Sequence, residues 1–198
     1  MKADNQLKAL FVSRTRFRLL SVFFNSPQDI FFVRELVRLT GEEINSVRRE
    51  LARLSGLDLL LSEPRGHRLF YHLNLRHQLI PSLAPLMFQT REFVADLISR
   101  GQKSQIELLL ASFSFLTRST TKSDNIDFLL IGQLSLREIE KAVGDLEKDY
   151  QREINYMVMS HDEFHIRLSR RDPLLVEFFL SCPQIIIGDY QLLSRQHA

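Results

Sequence analysis

The sequence predicts an α+β, multidomain protein, with three helices and a hairpin in front and a small α/β module with a mixed sheet behind. Three observations predict it. Apolar residues recur at helical spacing up to about residue 55, after which a turn containing Pro64 and Gly66 separates two short apolar runs. From about residue 105, short aliphatic runs alternate with amphipathic segments of helical period. The charge divides with the pattern: residues 1–90 carry 13 Lys and Arg against 8 Asp and Glu, and residues 91–198 carry 13 against 16.

A chain of 198 residues has room for two small domains, each with its own core. With 44% hydrophobic and 25% charged residues, the composition is that of a soluble globular protein. No apolar run approaches the roughly 20 residues that cross a bilayer, and the polar start MKADNQLKAL does not read as a secretory signal, so no membrane partner and a cytoplasmic location are expected. The single cysteine, Cys182, excludes an internal disulfide and a multi-cysteine zinc site. It stands among apolar residues in FFLSCPQIII and is expected to be a buried thiol. A basic front and an acidic back suggest modules with different partners, the front one polyanionic.

In the front part, TRFRLLSVFFNSP puts Phe17, Leu20, Val22, Phe23 and Phe24 on one helical face, ended by Asn25-Ser26-Pro27. IFFVRELVRLTG reads as a second helix with apolar Val33, Leu36, Val37 and Leu39, stopping at Gly41. EEINSVRRELARLSG is a third, with Ile44, Val47, Leu51 and Leu54 on its stripe and Asn45, Ser46, Arg48, Arg49 and Arg53 off it. Only about three residues, Thr40-Gly41-Glu42, join the last two helices, which is the spacing of a helix-turn-helix. LDLLLS and LFYHLNL then read as two strands around the turn EPRGHR, which carries Arg65, His67 and Arg68.

FFVRELVRLTGEEINSVRRELARLSGLDLLLSEPRGHRLFYHLN resembles small winged-helix transcription regulators over nearly its whole length. The resemblance implies double-stranded DNA as partner. Arginine can take guanine, and asparagine adenine, in a bidentate way from a helix in the major groove. The candidate DNA-binding residues are therefore Asn45, Ser46, Arg48, Arg49 and Arg53 on the third helix, with Arg65, His67 and Arg68 at the wing meeting phosphates or the minor groove. The alternative reading of the same arginines is a solvated face on a protein-interaction module. His67, His72 and His77 form no ligand-like cluster and are read as wing or loop residues.

With residues 1–80 as the first domain, residues 81–104 form a connector. It has two prolines and then a helical pattern of Leu86, Phe93, Val94, Leu97 and Ile98, too apolar for a floppy linker. Helices packed on a neighbour are expected, and a homodimer would match paired half-sites on DNA.

Residues 105–198 form the second domain. IELLLAS reads as a buried strand, FSFLTRSTTKSD as a polar loop, and IDFLLIG as a second strand. SLREIEKAVGDLEKDY is a helix opened by a capping box of Ser135 and Glu138, with Leu136, Ile139, Val143 and Leu146 on its apolar face. REINYMVMS is a third strand. Ser160 and Glu163 open the next helix, Asp172-Pro173 another, and QIIIGD is a late strand; the final LLSRQHA is expected to be disordered.

This order of elements, together with SDNIDFLLIG, resembles the minimal nucleotidyltransferase domains of the DNA polymerase beta superfamily over most of residues 105–190. In that family a Gly-Ser pair touches phosphates, and two aspartates on the second strand plus one on a later strand hold two metal ions. Here the pair is Ala111-Ser112, no glycine follows in FSFLTRSTTKSD, and the three acids correspond to Asn125, Asp127 and Asn155. Asp124 would point away from the face that holds 125 and 127 if the strand already runs there. Magnesium binds poorly to one carboxylate and neutral amides. The resemblance therefore implies a pseudoenzyme: no catalytic residue, no metal, no cofactor. Three readings of the site stay open. The residues simply start a strand, or the fold is inert, or Ser112, Asn125, Asp127 and Asn155 line a retained pocket for a magnesium-nucleotide or another effector.

The expected function is a DNA-binding transcriptional regulator whose second domain serves dimerisation, sensing of a small-molecule or protein effector, or partner binding. The alternatives are an active nucleotidyltransferase with a substrate-recruiting winged helix and an antitoxin-like interaction adaptor.

Overall fold

The computed structural model describes residues 11–97, 106–119, 125–189 and 191. Thr120–Asp124 of the polar loop, Ile98 and the rest of the connector to residue 105, and the tail 192–198 lie outside the described residues. The fold is α+β with two small sheets. The chain splits into two compact units: Met1–Phe88 with Thr117–Ser119, and Gln89–Leu116 with Thr120–Ala198. The division at Phe88/Gln89 falls inside the stretch read as a connector.

In the first unit, α1 (Arg14–Asn25) is opened by Ser13, whose hydroxyl accepts from the Arg16 N–H at 3.2 Å. It buries Phe17, Leu19, Leu20, Phe23 and Phe24, while Val22 is only half-buried. Phe31 and Phe32, read from sequence as part of the second helix, form a short strand, β1 (Phe31–Phe32). The reason is steric. A strand sends adjacent side chains to opposite faces, so Phe31 meets Phe23 inside while Phe32 meets Phe70 outside, with ring centroids 5.5 and 5.7 Å apart.

The helix α2 (Val33–Thr40) ends at Gly41, whose φ of 64° suits a residue without a β-carbon and whose N–H donates to Val37 O at 2.9 Å. The turn to α3 (Ile44–Gly56) is residues 41–43, one later than the sequence suggested. Strands β2 (Leu60–Arg65) and β3 (Arg68–Leu73) pair in the order β1-β3-β2, all antiparallel. The expected six-residue turn shrinks to Gly66-His67, with Gly66 at φ 58°, the left-handed first position that a two-residue hairpin turn favours. Pro64 is accommodated because β2 is an edge strand. α4 (Ile80–Phe88) closes the unit, burying Ile80, Ala84, Met87 and Phe88.

The second unit begins with a helical stretch, α5 (residues 92–97), which buries Phe93, Val94 and Leu97. Its sheet runs β6-β5-β4-β7, built from β4 (Ile106–Ala111), β5 (Phe128–Gly132), β6 (Tyr156–Met159) and β7 (Gln184–Ile187). β4 is antiparallel to β5 and β7, and β5 is parallel to β6 across the helix α7 (Leu136–Tyr150). The strands read as continuous apolar runs because both faces are covered. Leu108, Leu110, Leu129 and Ile131 pack with Phe164 of α8 (His161–Ser169) and with Leu175 and Phe178 of α9 (Pro173–Leu180). On the other face, Phe128 meets Phe115 and Phe93 at 4.5 and 5.5 Å.

Several local expectations change. Part of the polar loop is a short helix, α6 (Phe113–Leu116). The capping box at Ser135 does not form: its hydroxyl makes no cap bond, and its carbonyl accepts from the Glu138 N–H at 3.0 Å. Ser160 does cap α8 through the Glu163 N–H at 3.2 Å, but the Glu163 carboxylate turns to Arg167 at 2.8 Å. Cys182 is exposed, not buried: the chain leaving α9 turns there with φ 54°, and its side chain is carried outward. Among the described residues, no helix is long and apolar enough to cross a membrane.

Two acids lock the first unit. Glu42, in the inter-helix turn, accepts from Arg14 at 3.0 Å, Arg18 at 2.7 Å and the Thr15 hydroxyl at 3.1 Å. Glu50, buried on α3, accepts from Arg16 of α1 and from Arg53, each at 2.8 Å. Burial pushes the Glu50 pKa up, but its bonds to Arg16, Ser13 and Arg53 and the Arg16 charge outweigh this and hold it below the usual glutamate range. Its stabilising contribution is therefore complete above the ordinary value of about 4.3 and is lost as pH falls through the lower folded value. Glu50→Gln is expected to destabilise the protein by about 2 kcal/mol at neutral pH. The same variant's stability should fall less steeply on acidification, as read by urea unfolding at pH 7 and pH 4.

Candidate functional site

The outward side of α3 follows from what the inward side needs. Val47, Leu51 and Leu54 fill the core, so Asn45, Arg48 and Arg49, at i, i+3 and i+4, stand exposed together. Glu43 caps the helix, accepting from the N–H groups of Asn45 and Ser46 at 2.9 and 3.0 Å. Those two backbone bonds hold the Glu43 pKa below the usual range, with the Arg49 charge adding to the effect. Arg49 donates to the Ser46 hydroxyl at 3.3 Å. Tyr71 of β3 is close by: burial raises its phenol pKa, and the Arg48 charge opposes the rise. The structure thus brings Asn45, Ser46, Arg48 and Arg49 together, and the Arg48 charge is felt at Tyr71.

Other residues expected on this surface are placed elsewhere. Arg53 leans back onto Glu50, which it shares with Arg16. Pairing of Arg65 with Arg68, Glu63 with Phe70 and Phe32 with Phe70 puts these residues on one face of the hairpin, and Tyr71, paired with Phe31, on the opposite face. The contacts agree with the register. Arg68 lies over the Phe32 ring at 4.9 Å and Arg65 over Phe70 at 5.5 Å, with Arg65 also paired to Glu63. The wing arginines are parked on the outer aromatic face, away from the Arg48 side. His67 is exposed at the tip.

In the second unit, neither Asn125 nor Asp127 lies in a strand, since β5 begins at Phe128; Asn155 immediately precedes β6. The parallel register still sets these residues side by side, with the Asp127 N–H donating to Asn155 O at 2.7 Å. The Asp127 carboxylate, 1% exposed, accepts from Arg152 at 2.8 Å and from the Asn155 N–H at 3.1 Å. The Asn155 side-chain amide donates to Asn125 O at 3.2 Å. Ser112 is buried: its N–H donates to Asp127 O at 2.8 Å, and its hydroxyl accepts from the Phe115 N–H at 3.2 Å. Arg152 also lies 5.3 Å over the Phe115 ring, which stacks on Tyr150.

These four residues form a hydrogen-bonded junction. Asn125 lines a cavity of about 30 Å³ shared with Ser114, Leu174 and Glu177. Ligand pockets start at roughly 300 Å³, so a nucleotide does not fit there. Asp124 lies outside the described residues. Among the described residues, no group of three or more His, Cys, Asp or Glu could hold a metal ion. His72 and His77 bond to backbone carbonyls of Leu73 and Leu57. The chain matches no family model, no curated protein and no solved structure.

Sequence reasoning missed Glu43, Tyr71 and Arg152. Glu43 directly precedes the third helix, where a cap belongs, and strand parity from the Gly66 turn would have singled out Tyr71. Arg152 carries no periodic signal. Asp127→Ala is expected to cost about 3 kcal/mol, because it strips partners from Arg152 and from the Asn155 N–H. A thermal melt of the variant that matched the parent protein would contradict that role.

Proposed function

We propose that this protein is a DNA-binding transcriptional regulator, with a winged helix-turn-helix in the first unit and a catalytically inactive nucleotidyltransferase-like second unit. The observation that carries the reading is the side of α3 that bears Asn45, Arg48 and Arg49. It follows a tight turn at Gly41, it is exposed, and among the described residues no ion pair neutralises Arg48 or Arg49. A groove-reading helix needs donors of this kind that are not already spent on acids. The order α1, β1, α2, α3, β2, β3, with the hairpin strand β2 packed against α3, supports the same reading.

In this reading double-stranded DNA is bound by two copies of the chain in the cytoplasm, so that paired α3 helices meet half-sites one turn apart. The second unit provides the dimer contact or receives a small-molecule or protein effector. Its inactivity is supported by Asp127, whose carboxylate is already occupied by Arg152 and the Asn155 N–H. Neither a metal nor another cofactor has a role.

Fluorescence anisotropy on labelled DNA from the protein's own upstream region, against scrambled DNA at two salt concentrations, tests the proposal. Arg48→Ala with Arg49→Ala should weaken preferred binding by about 10- to 100-fold. Arg65→Ala with Arg68→Ala should weaken both DNAs alike and lower the salt dependence. Binding without preference, or indifference to the Arg48/Arg49 change, contradicts the reading. A second check is chemical: magnesium and labelled nucleotide should give no transfer to protein, RNA or small molecules.

A further inference from the structure

We propose that Glu43 and Arg49 together read one G·C base pair at the leading end of α3, which rests on the DNA-binding reading above. A helix presented to the major groove meets base edges with its N-terminal residues. At that end of α3 stand an exposed carboxylate and an exposed guanidinium, tied to the same residue: Glu43 accepts the Ser46 N–H at 3.0 Å, and Arg49 donates to the Ser46 hydroxyl at 3.3 Å. Helical side chains lean toward the N-terminus, which brings Arg49 back to the acid. An anionic acceptor and a cationic donor are therefore each bonded to Ser46 at this end of the helix.

The two have capacity left over. A carboxylate offers about four lone-pair sites, and the bonds to Asn45 and Ser46 use two of those on Glu43. Arg49 spends one N–H on Ser46, out of about five on a guanidinium. In the major groove a G·C pair presents two neighbouring acceptors, guanine N7 and O6, and beside them the N4 amino donor of cytosine. The guanidinium matches the first two and the carboxylate the third. No A·T pair sets two acceptors side by side on one base, so it cannot satisfy Arg49 in a bidentate way.

Glu43 also acts against wrong docking. A helix N-terminus ordinarily attracts a phosphate, but here the first N–H groups already hold a carboxylate. A phosphate approaching end-on meets like charge. Removing the acid should therefore relax specificity while raising affinity for unrelated DNA.

The test is selection from a random duplex library by the full chain, followed by anisotropy on the enriched sequences. Glu43→Ser removes the acid yet keeps a favoured N-cap hydroxyl, so loss of the helix is not the cause of any change; circular dichroism checks this. The parent chain is expected to enrich duplexes sharing a G·C pair at one fixed position. Glu43→Ser and Arg49→Ala should each lose about tenfold discrimination at that same pair, and Glu43→Ser should bind unrelated duplexes more tightly. If the two variants lose discrimination at different positions, or Glu43→Ser keeps the parent preference, the joint reading is overturned while DNA binding stands. If the parent chain enriches no duplex, DNA binding itself fails, and this inference with it.

Discussion

Glu50 and Asp127 are buried acids, and a buried carboxylate left without partners costs several kcal/mol. Each unit answers this demand in the same way, with an arginine reaching in from the surface. Arg16 and Arg53 close on Glu50, so α1 and α3 are held by an ion pair as well as by their leucines and phenylalanines. Arg152 closes on Asp127 and, with the Asn155 N–H, ties the starts of β5 and β6 to the chain leaving α7. Much of the remaining arrangement depends on these closures, because they decide which cations are spent inside the fold.

Not every arginine is spent on an acid in this way. Arg14, Arg16, Arg18 and Arg53 are committed to Glu42 and Glu50, and Arg65 and Arg68 rest on aromatic rings. Net charge alone would count all of these as one basic face. The geometry separates the arginines paired with Glu42 and Glu50 from Arg48 and Arg49, which make no ion pair among the described residues. In the second unit Arg152 provides the positive charge that the buried Asp127 carboxylate needs.

Most of the secondary structure was legible in the sequence, because helical stripes such as Val47, Leu51 and Leu54 and aliphatic runs such as Leu108–Leu110 have clear periods. β1 was not, since two adjacent phenylalanines fit the start of a helix as well as a strand, and only pairing with Tyr71 and Phe70 decides it. The hairpin was legible but its register was not. The turn length, and with it the face that each wing arginine occupies, hinges on Gly66 taking a left-handed conformation. At the candidate site the α3 arginines were legible as exposed residues. The ion pair that ties Glu50 of α3 to α1 was not, because Glu50 and Arg16 are 34 residues apart. Cys182 was misread because an apolar neighbourhood in sequence does not reveal a tight turn.

Pro64 has an effect beyond its own strand. A two-residue turn makes Arg65 and Arg68 the hydrogen-bonded pair that closes the hairpin, so Pro64 and Leu69 form the next, non-bonded pair. The proline nitrogen therefore faces outward from the open edge of β2, where an ordinary residue would offer a donor. A neighbouring molecule that tried to extend the sheet would meet a ring there and lose a bond. With Leu61 and Leu69 exposed on the same hairpin, that edge would otherwise be a template for self-assembly. One imino acid thus helps to keep the hairpin from seeding fibres at high concentration.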